Sequence, residues 1–221
     1  MKKFAVLALC LMVTVSGVFA MDKAFGGGLL FNAGSTIFSQ SYSEYDYYYG
    51  NIYVSNDYEL SRNGFGAFAF FGISQFWELN LGLLVKTPDT MKVSYTYEDD
   101  YEQISGSDSA KVSDYLDSVA ALQLGLYFKY PIPINDSFVF FPTGGIDLEL
   151  TLGGDSDWDW WSDFWFRVGV GVDYFINEKM FLRGHLIYGL AVPFGGFIDE
   201  YADSAIGHGL LIKFGIGLML Q

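Results

Sequence analysis

The residues best placed to bind a metal are three aspartates in the segment GGDSDWDWWSDFWF. Asp155, Asp157 and Asp159 match the first three ligand positions of a calcium-binding loop. Such a loop also needs glycine at its sixth position and a bidentate glutamate at its twelfth, where this chain has Trp160 and Phe166. We therefore predict no high-affinity calcium site, and we retain the three aspartates only as weak cation ligands on a solvated loop tip.

The chain has few residues that could form a histidine-based catalytic site. The chain has 2 histidines, and His185 has no serine near it on its own strand face. His208 has Ser204 and Asp203 close to it in sequence, which is the least that a Ser–His–acid site requires. The segment AFGGGLLFNAG contains no lysine and leads into a strand, so it is not a phosphate-binding loop. We expect no cofactor and no catalytic site, and a lipid-modifying enzyme is a remote alternative.

The first twenty residues read as a secretory signal peptide. Lys2 and Lys3 precede an apolar run that ends at Ala20, a small residue suited to cleavage. Residues 1–20 are therefore predicted to be removed, which leaves residues 21–221 as a single domain. A less favoured alternative is a lipoprotein signal at the chain's one cysteine, which the bulky residue preceding it disfavours.

The composition excludes several classes of function. A formal net charge of −14 argues against nucleic acid as a partner, because phosphate binding needs a basic surface. Beyond the signal peptide no apolar stretch reaches the 18 residues typical of a transmembrane helix. Yet 51% of the residues are hydrophobic and 19% are aromatic, which is unusual for a soluble acidic domain. The chain is thus rich in apolar residues without being helical.

Apolar residues alternate with glycine or charged residues along most of the chain. In the last segment, Leu210, Ile212 and Phe214 lie on one face, and Gly209 and Lys213 lie on the other. Eight such segments are predicted to be strands: 24–39, 64–75, 76–95, 116–131, 137–153, 163–176, 180–194 and 205–221. Their connections alternate between short turns (74–75, 131–136, 177–179) and longer loops (40–63, 96–115, 154–162, 195–204). This rhythm predicts an all-β, eight-stranded antiparallel up-and-down barrel.

The apolar face of such a barrel either encloses a ligand, as in a lipocalin-like barrel, or contacts lipid. The other face favours lipid, because it is mostly glycine with isolated charges, which suits a narrow, filled interior. The predicted interior charges are Glu78, Lys86, Lys129, Asp147, Glu149, Arg167, Asp173, Arg183 and Lys213. Their signs nearly balance, as buried charges require. We also predict a cation–π contact between Trp165 and Arg167 inside the barrel.

Charged and aromatic residues are segregated along the barrel axis. Nineteen of the 26 acids fall in or beside the long loops, within residues 40–63, 87–117, 153–163 and 197–206, whereas a soluble barrel has no reason to place its charge at one end. Aromatic residues collect at strand ends, as in the two interface girdles of outer-membrane barrels. The predicted girdle residues are Phe76, Trp77, Tyr130, Phe138, Tyr174, Phe175 and Phe181 beside the short turns, and Tyr115, Trp160, Trp161, Phe164, Phe194 and Phe197 beside the long loops.

With these features the chain resembles the small outer-membrane β-barrel proteins of diderm bacteria, of the OmpW, OmpX and OmpA-transmembrane-domain type. The resemblance is architectural and covers the whole chain after the signal peptide. It implies an eight-stranded transmembrane β-barrel in the cell outer membrane, with membrane lipid and the barrel-assembly machinery as partners. One departure is the C-terminal sequence GLMLQ, because these proteins usually end in an aromatic residue and here the nearest one is Phe214.

Two functions remain open. The segment SQSYSEYDYYYGNIYVSNDYEL combines seven tyrosines with four acids, a composition suited to an adaptable binding surface. It fits equally well an extension of the first hairpin above the membrane. The first hypothesis is a plugged barrel whose long acidic loops serve surface interaction with an extracellular ligand or host surface, or a structural role. The second, implied by the resemblance to OmpW, is a channel for small or hydrophobic solutes, which the many inward glycines favour.

Overall fold

The computed structural model describes residues 23–46, 50–113, 116–152, 161–196, 198 and 202–220. The predicted signal peptide and its cleavage after Ala20 lie outside these residues. Within them, no helix is long and apolar enough to cross a membrane. The strands are β1 (Lys23–Asp46), β2 (Gly50–Gly72), β3 (Trp77–Glu98), β4 (Gln103–Lys111), β5 (Val119–Lys129), β6 (Ile132–Asn135), β7 (Phe138–Leu152), β8 (Ser162–Phe175), β9 (Met180–Phe194) and β10 (Ser204–Leu220).

Eight of the strands within the described ranges close into a ring of antiparallel pairs. Its order is β2–β1–β10–β9–β8–β7–β5–β3, and the pairing of β2 with β3 completes it. β4 and β6 lie off the ring, paired with β3 and β7. A closed ladder satisfies its own backbone hydrogen bonds and leaves no free edge, which is what a lipid environment demands. The predicted up-and-down barrel is confirmed.

Side-chain burial alternates along the ring strands, with the apolar residues outside. Leu124, Val170 and Ile216 are 43%, 40% and 50% exposed on the outer wall. Gln123, which follows the opposite parity, is 1% exposed in the interior. An apolar outer wall around a polar interior is the arrangement of a transmembrane barrel, and it is the reverse of a lipocalin-like barrel. The wall follows from the period-2 sequence pattern, because successive side chains of a strand point to opposite faces.

The predicted loops 40–63 and 96–115 are largely strand, so those predicted boundaries are wrong. β1 continues to Asp46 and β2 begins at Gly50, while β4 follows a tight turn after β3. Residues 40–46, 50–60, 90–98 and 103–111 continue beyond the ring and pair with one another, and residues 57–60 also pair with residues 36–39 of β1. We call these four segments the extension. The short strand β6 likewise lies within the predicted turn 131–136.

At some interior glycines, a neighbouring side chain fills the space that a Cβ atom would take. A Cβ on Gly217 would overlap the ring of Phe181, and one on Gly171 would overlap the ring of Phe141. A narrow eight-stranded barrel can hold such large rings only where the facing wall lacks a side chain. Gly171 and Gly217 therefore make room for aromatic packing inside the barrel.

The aromatic girdles are formed by part of the predicted set. On the short-turn side, the ring of Phe76 stacks on Phe128 and Tyr130, with centroids 6.1 and 6.2 Å apart. Three predicted girdle residues are wrong. Phe181 and Trp161 are buried in the interior at 1% and 3% exposure, and Phe175 packs against the interior cluster beside Phe181, with ring centroids 5.3 Å apart. All three share strand parity with inward neighbours, and that parity outweighs their position at a strand end. Tyr115, Trp160 and Phe197 lie outside the described residues.

Candidate functional site

All nine predicted interior charges lie inside the barrel, and none exceeds 9% exposure. The ring strands bring them together in clusters at three heights along the barrel axis. Two further charged residues, Arg62 and Asp163, join them. A charge removed from water must be paired or strongly hydrogen-bonded. The partners within each cluster therefore have to hold defined positions in the interior.

The turn-side cluster is centred on Arg183 of β9. Its Nε and Nη2 donate to the carboxylate oxygens of Asp173 at 2.6 and 2.7 Å, and its Nη1 donates to Glu78. Lys129 Nζ contacts the same Glu78 carboxylate at 3.3 Å. The guanidinium lies 4.2 Å from the ring centroid of Phe70. Arg183 therefore joins two carboxylates from β3 and β8 across the barrel floor.

The middle cluster is centred on Asp147 of β7. One carboxylate oxygen accepts hydrogen bonds from Arg167 Nε at 3.2 Å, from Gln123 Nε2 at 3.1 Å and from the Tyr127 hydroxyl. The Arg167 guanidinium lies 3.8 Å from the Trp165 ring centroid, so the predicted cation–π contact is confirmed. Donors from two strands, β5 and β8, thus converge on a single buried acid of β7.

Lys213 connects the clusters without an acidic partner of its own. Its Nζ donates to Asn80 Oδ1 at 3.0 Å and lies 4.7 Å from the ring centroid of Tyr127. Asn80 in turn donates to Glu78 at 2.9 Å, which links Lys213 indirectly to the turn-side cluster. Within the described residues no carboxylate lies within salt-bridge distance of Lys213.

The loop-side cluster contains the two residues that the sequence analysis missed. Arg62 Nη2 contacts Asp163 at 3.2 Å and donates to Thr36 Oγ1 at 2.7 Å. Lys86 Nζ contacts the same Asp163 oxygen at 3.0 Å and also pairs with Glu149. Arg62 falls within the predicted loop 40–63, and Asp163 is one of the nineteen acids in or beside the long loops. Strand parity was the available signal, because each lies two residues before an inward residue of its own strand.

An apolar layer covers the loop-side cluster. Phe38, Leu60, Trp161 and Ile198 are buried together, and the Arg62 guanidinium lies 4.6 Å from the Trp161 ring centroid. A second buried apolar cluster fills the lower interior between the charged groups. Over the described residues, the barrel is therefore filled from the short turns to the base of the extension.

The extension presents partly exposed aromatic and aliphatic residues on the side that continues the barrel interior. Tyr42, Val54, Tyr95 and Ile104 share this face by register. We call it the inner face of the extension. Tyr95 lies across Gly106 of the neighbouring strand, where a Cβ would overlap the phenol ring. Cross-strand packing of this kind orders a sheet that has no core of its own.

Two exposed acids fix the ends of the extension through local hydrogen bonds. Asp99 Oδ1 accepts from the backbone amides of Tyr101 and Glu102 at 2.8 Å, and these bonds lower the pKa of Asp99 below its ordinary value of 3.8. Asp203 Oδ2 accepts from the hydroxyl and amide of Ser41 at 2.8 and 2.6 Å, which lowers its pKa in the same way.

The chemistry considered for the histidines is not assembled. His208 is on the outer wall beside Tyr188, with ring centroids 6.4 Å apart. Ser204 is four residues away along the same strand, a separation of roughly 13 Å, and Asp203 is held by Ser41. His185 packs edge-on against Phe141 in the interior.

Metal-binding geometry was sought in the same way. Across the described ranges, no three His, Cys, Asp or Glu side chains form a group able to hold a metal ion. The weak candidates Asp155, Asp157 and Asp159 lie outside those ranges.

Taken together, the closed sheet, apolar wall and filled polar interior define a transmembrane β-barrel of the small outer-membrane type. No protein-family model matches the chain, and no curated protein sequence matches it.

Among solved structures, the outer membrane protein OprG from Pseudomonas aeruginosa is 14% identical with a TM-score of 0.42, over 93% of this chain and 99% of that one. The N-terminal β-barrel domain of Pseudomonas aeruginosa OprF is 12% identical with a TM-score of 0.35, over 88% and 99%. At these values the sheet of this protein, and not the likeness, carries the assignment of the fold.

Proposed function

We propose that the protein is exported to the bacterial outer membrane and acts at the cell surface through its extension. In this proposal the barrel is an anchor, and the inner face of the extension is the contact surface for an extracellular ligand. Tyrosine suits such a surface because it offers a large amphipathic contact area at a low cost in conformational entropy.

The observation that carries the proposal is the contrast between a filled interior and an exposed aromatic face above it. Three charged clusters and an apolar layer occupy the interior over the described residues. Above them, Tyr42 and Tyr95 remain 53% and 45% exposed on ordered strands. A protein that moved solutes through its barrel would need open space in the interior instead of a filled one.

Exposed tyrosines on the opposite face of the extension provide a control for testing this role. Tyr45 of β1 and Tyr53 of β2 lie on the opposite face of the extension and are exposed as well. Cells of a diderm host that display the wild-type protein are expected to bind one or more members of an array of extracellular-matrix proteins and glycans. The double variant Tyr42→Ser/Tyr95→Ser is expected to lose that binding, and Tyr45→Ser/Tyr53→Ser is expected to retain it. Equal loss in both variants, or no binding by the wild type, contradicts the proposal.

Conductance tests the alternative, a channel for small solutes. The refolded protein in a planar bilayer is expected to give no discrete current steps, because salt bridges and aromatic rings fill the interior. Stable single-channel steps that change in size in Lys213→Met would favour the channel and would contradict an anchoring role for the barrel.

A further inference from the structure

The barrel interior shows how this protein holds a cation. The Arg167 guanidinium lies over the Trp165 ring and pairs with Asp147. Arg183 lies over the Phe70 ring and pairs with two carboxylates. Each guanidinium is therefore held by an aromatic ring and a carboxylate together, and the two attractions reinforce each other.

Tyr95 of β3 and Asp108 of β4 form the same combination of ring and carboxylate on the inner face of the extension. The phenol ring of Tyr95 reaches across to β4, where a Cβ on Gly106 would overlap it. Asp108 follows Gly106 by two residues on the same strand face, a separation of roughly 7 Å. Both side chains are exposed, Tyr95 by 45%.

The Asp108 carboxylate has no cationic partner among the described residues. One of its oxygens accepts a hydrogen bond from the backbone amide of Ser109 at 2.7 Å. No lysine or arginine side chain of the described ranges lies within salt-bridge distance of it. The ring and the carboxylate are thus in place on an open surface, and the cation is left for a ligand to supply.

The charge around this pair has one sign. The extension and the turn 99–102 together contain nine acids and two lysines. By register, both lysines, Lys92 and Lys111, lie on the face opposite to Tyr95 and Asp108. The inner face therefore attracts cations, and no basic residue of the extension's own strands lies on it to neutralise that attraction.

Aliphatic side chains on the same face narrow the class of ligand further. Val54 and Ile104 lie beside the tyrosines by register, and Ile104 is 47% exposed. A ligand that covers the face must therefore offer cationic and apolar groups together. A basic peptide segment does so, and when extended its same-side side chains recur about every 7 Å, as they do along the strands of the face. Nucleic acids and acidic glycans carry the opposite charge.

We propose that the inner face of the extension binds a basic, extended segment of a partner protein, with a lysine or arginine side chain held between the Tyr95 ring and the Asp108 carboxylate. This inference rests on the contact role proposed above for the inner face, and it adds the chemical class of the ligand. Single contacts of this kind are weak in water, so the charge decides which ligand binds and several contacts together supply the affinity.

A series of peptides that differ only in charge tests the ligand class. The probe is a fluorescein-labelled peptide of alternating lysine and threonine, titrated with the refolded barrel in zwitterionic detergent and followed by fluorescence anisotropy. Saturable binding is expected for this peptide and not for peptides with glutamine or glutamate in place of lysine. Added salt should weaken the binding, because it screens exposed charges. Equal binding of the glutamine peptide, or no binding of the lysine peptide, would overturn the proposal.

Two variants of equal net charge separate a defined site from general attraction to an acidic protein. Asp108→Asn removes the inner-face carboxylate but keeps an oxygen that can accept from Ser109. Glu98→Gln is the matched control, because Glu98 lies on the opposite face of β3 by register. Affinity for the lysine peptide is expected to fall about threefold in Asp108→Asn and to change little in Glu98→Gln. Equal losses in the two variants would mean that only the overall charge attracts the peptide, which overturns the proposal.

A third variant tests the aromatic half of the contact. Tyr95→Leu keeps an apolar side chain on the face but removes the ring that the cation covers. Affinity for the lysine peptide is expected to fall about threefold, the effect of losing one exposed cation–π contact. Unchanged affinity in this variant would contradict a cation held over Tyr95.

Failure of this inference and failure of the contact role give different results on cells that display the protein. Suppose that an array member binds through Tyr42 and Tyr95, but neither excess lysine peptide nor Asp108→Asn weakens the binding. The contact role then stands and the basic ligand is wrong. If no array member binds in a way that depends on Tyr42 and Tyr95, both are wrong. Binding that excess lysine peptide displaces, and that Asp108→Asn weakens, supports both.

Discussion

The barrel interior and the extension above it are built from the same residue types, acids and large aromatics, in opposite surroundings. In the interior, Glu78 and Asp147 are at most 1% exposed, and each contacts an arginine that also faces an aromatic ring. At the ends of the extension, Asp99 and Asp203 lie at the surface and accept hydrogen bonds from backbone and serine groups nearby.

This difference shows where the molecule is sensitive to change. A buried charge that loses its partner has no water to replace it, whereas an exposed charge does. Substitutions of similar chemistry should therefore differ greatly in cost between the two regions. The interior is expected to be intolerant, and the extension is expected to be free to vary with its ligand.

Loss of Arg183 is expected to have the largest effect. Arg183→Met leaves Asp173 without a cation and Glu78 with only Lys129, so the barrel should lose about 3–5 kcal/mol of unfolding free energy. Urea titration of the refolded barrel in lipid vesicles measures this. The matched control is Lys111→Met on the exposed strand β4, where the change should be below about 0.5 kcal/mol. Similar stabilities for the two variants would mean that Arg183 reaches water.

Loss of Arg167 should cost less, because its acid retains other donors. In Arg167→Met, Asp147 keeps the hydrogen bonds from Tyr127 and Gln123, so a loss of about 1.5–3 kcal/mol is expected. The same urea titration applies. If Arg167→Met proves as damaging as Arg183→Met, the cation–π contact with Trp165 contributes more than the geometry indicates.

Interior glycines should be intolerant where aromatic rings occupy their space. Gly171→Ala places a methyl group against Phe141 and His185, and about 1–3 kcal/mol of destabilisation is expected from overpacking. Gly184→Ala is the matched control, since the nearest atom to its Cβ belongs to Val172 at 3.6 Å. That variant should be close to neutral. Equal tolerance at both positions would show that the interior is loosely packed.

The barrel could be predicted from the sequence because lipid requires a continuous apolar face on each ring strand. Under that requirement, period-2 alternation assigns each residue of a strand to the outer wall or to the interior. It therefore also placed charged residues such as Arg167 and Lys213 in the interior. Residues 50–60 of the extension and β4 were predicted as loops, and not as strands, for the opposite reason. Segments such as QISGSDSAK face water on both sides, so no apolar alternation marks them as strands.

The charged clusters were predicted only in part, and the reason is local. Asp163 lies at the start of β8, and Arg62 lies where β2 passes from the ring into the extension. The residues around both have a loop-like composition, although parity assigns the two side chains to the interior. The pairing itself depends on neighbours distant in sequence, as Lys86 and Asp163 show. The register of the strands decides which side chains face each other across the barrel and at what height along its axis. The whole closed sheet sets that register.

The smallest expected effect concerns pH and the contact between Ser41 and Asp203. The two hydrogen bonds from Ser41 hold the pKa of Asp203 below 3.8 in the folded protein. Their stabilising contribution is therefore present above that value, and it is lost as the pH falls through the lowered pKa. A carboxyl NMR titration of wild type and Ser41→Ala measures the shift. The variant should move the Asp203 pKa back towards 3.8, because the side-chain hydrogen bond is its largest cause. Asp99 serves as the internal control, since its own partners, Tyr101 and Glu102, are unchanged and its pKa should stay low. If the Asp203 pKa is the same in both proteins, the contact between the extension and the start of β10 does not form in solution.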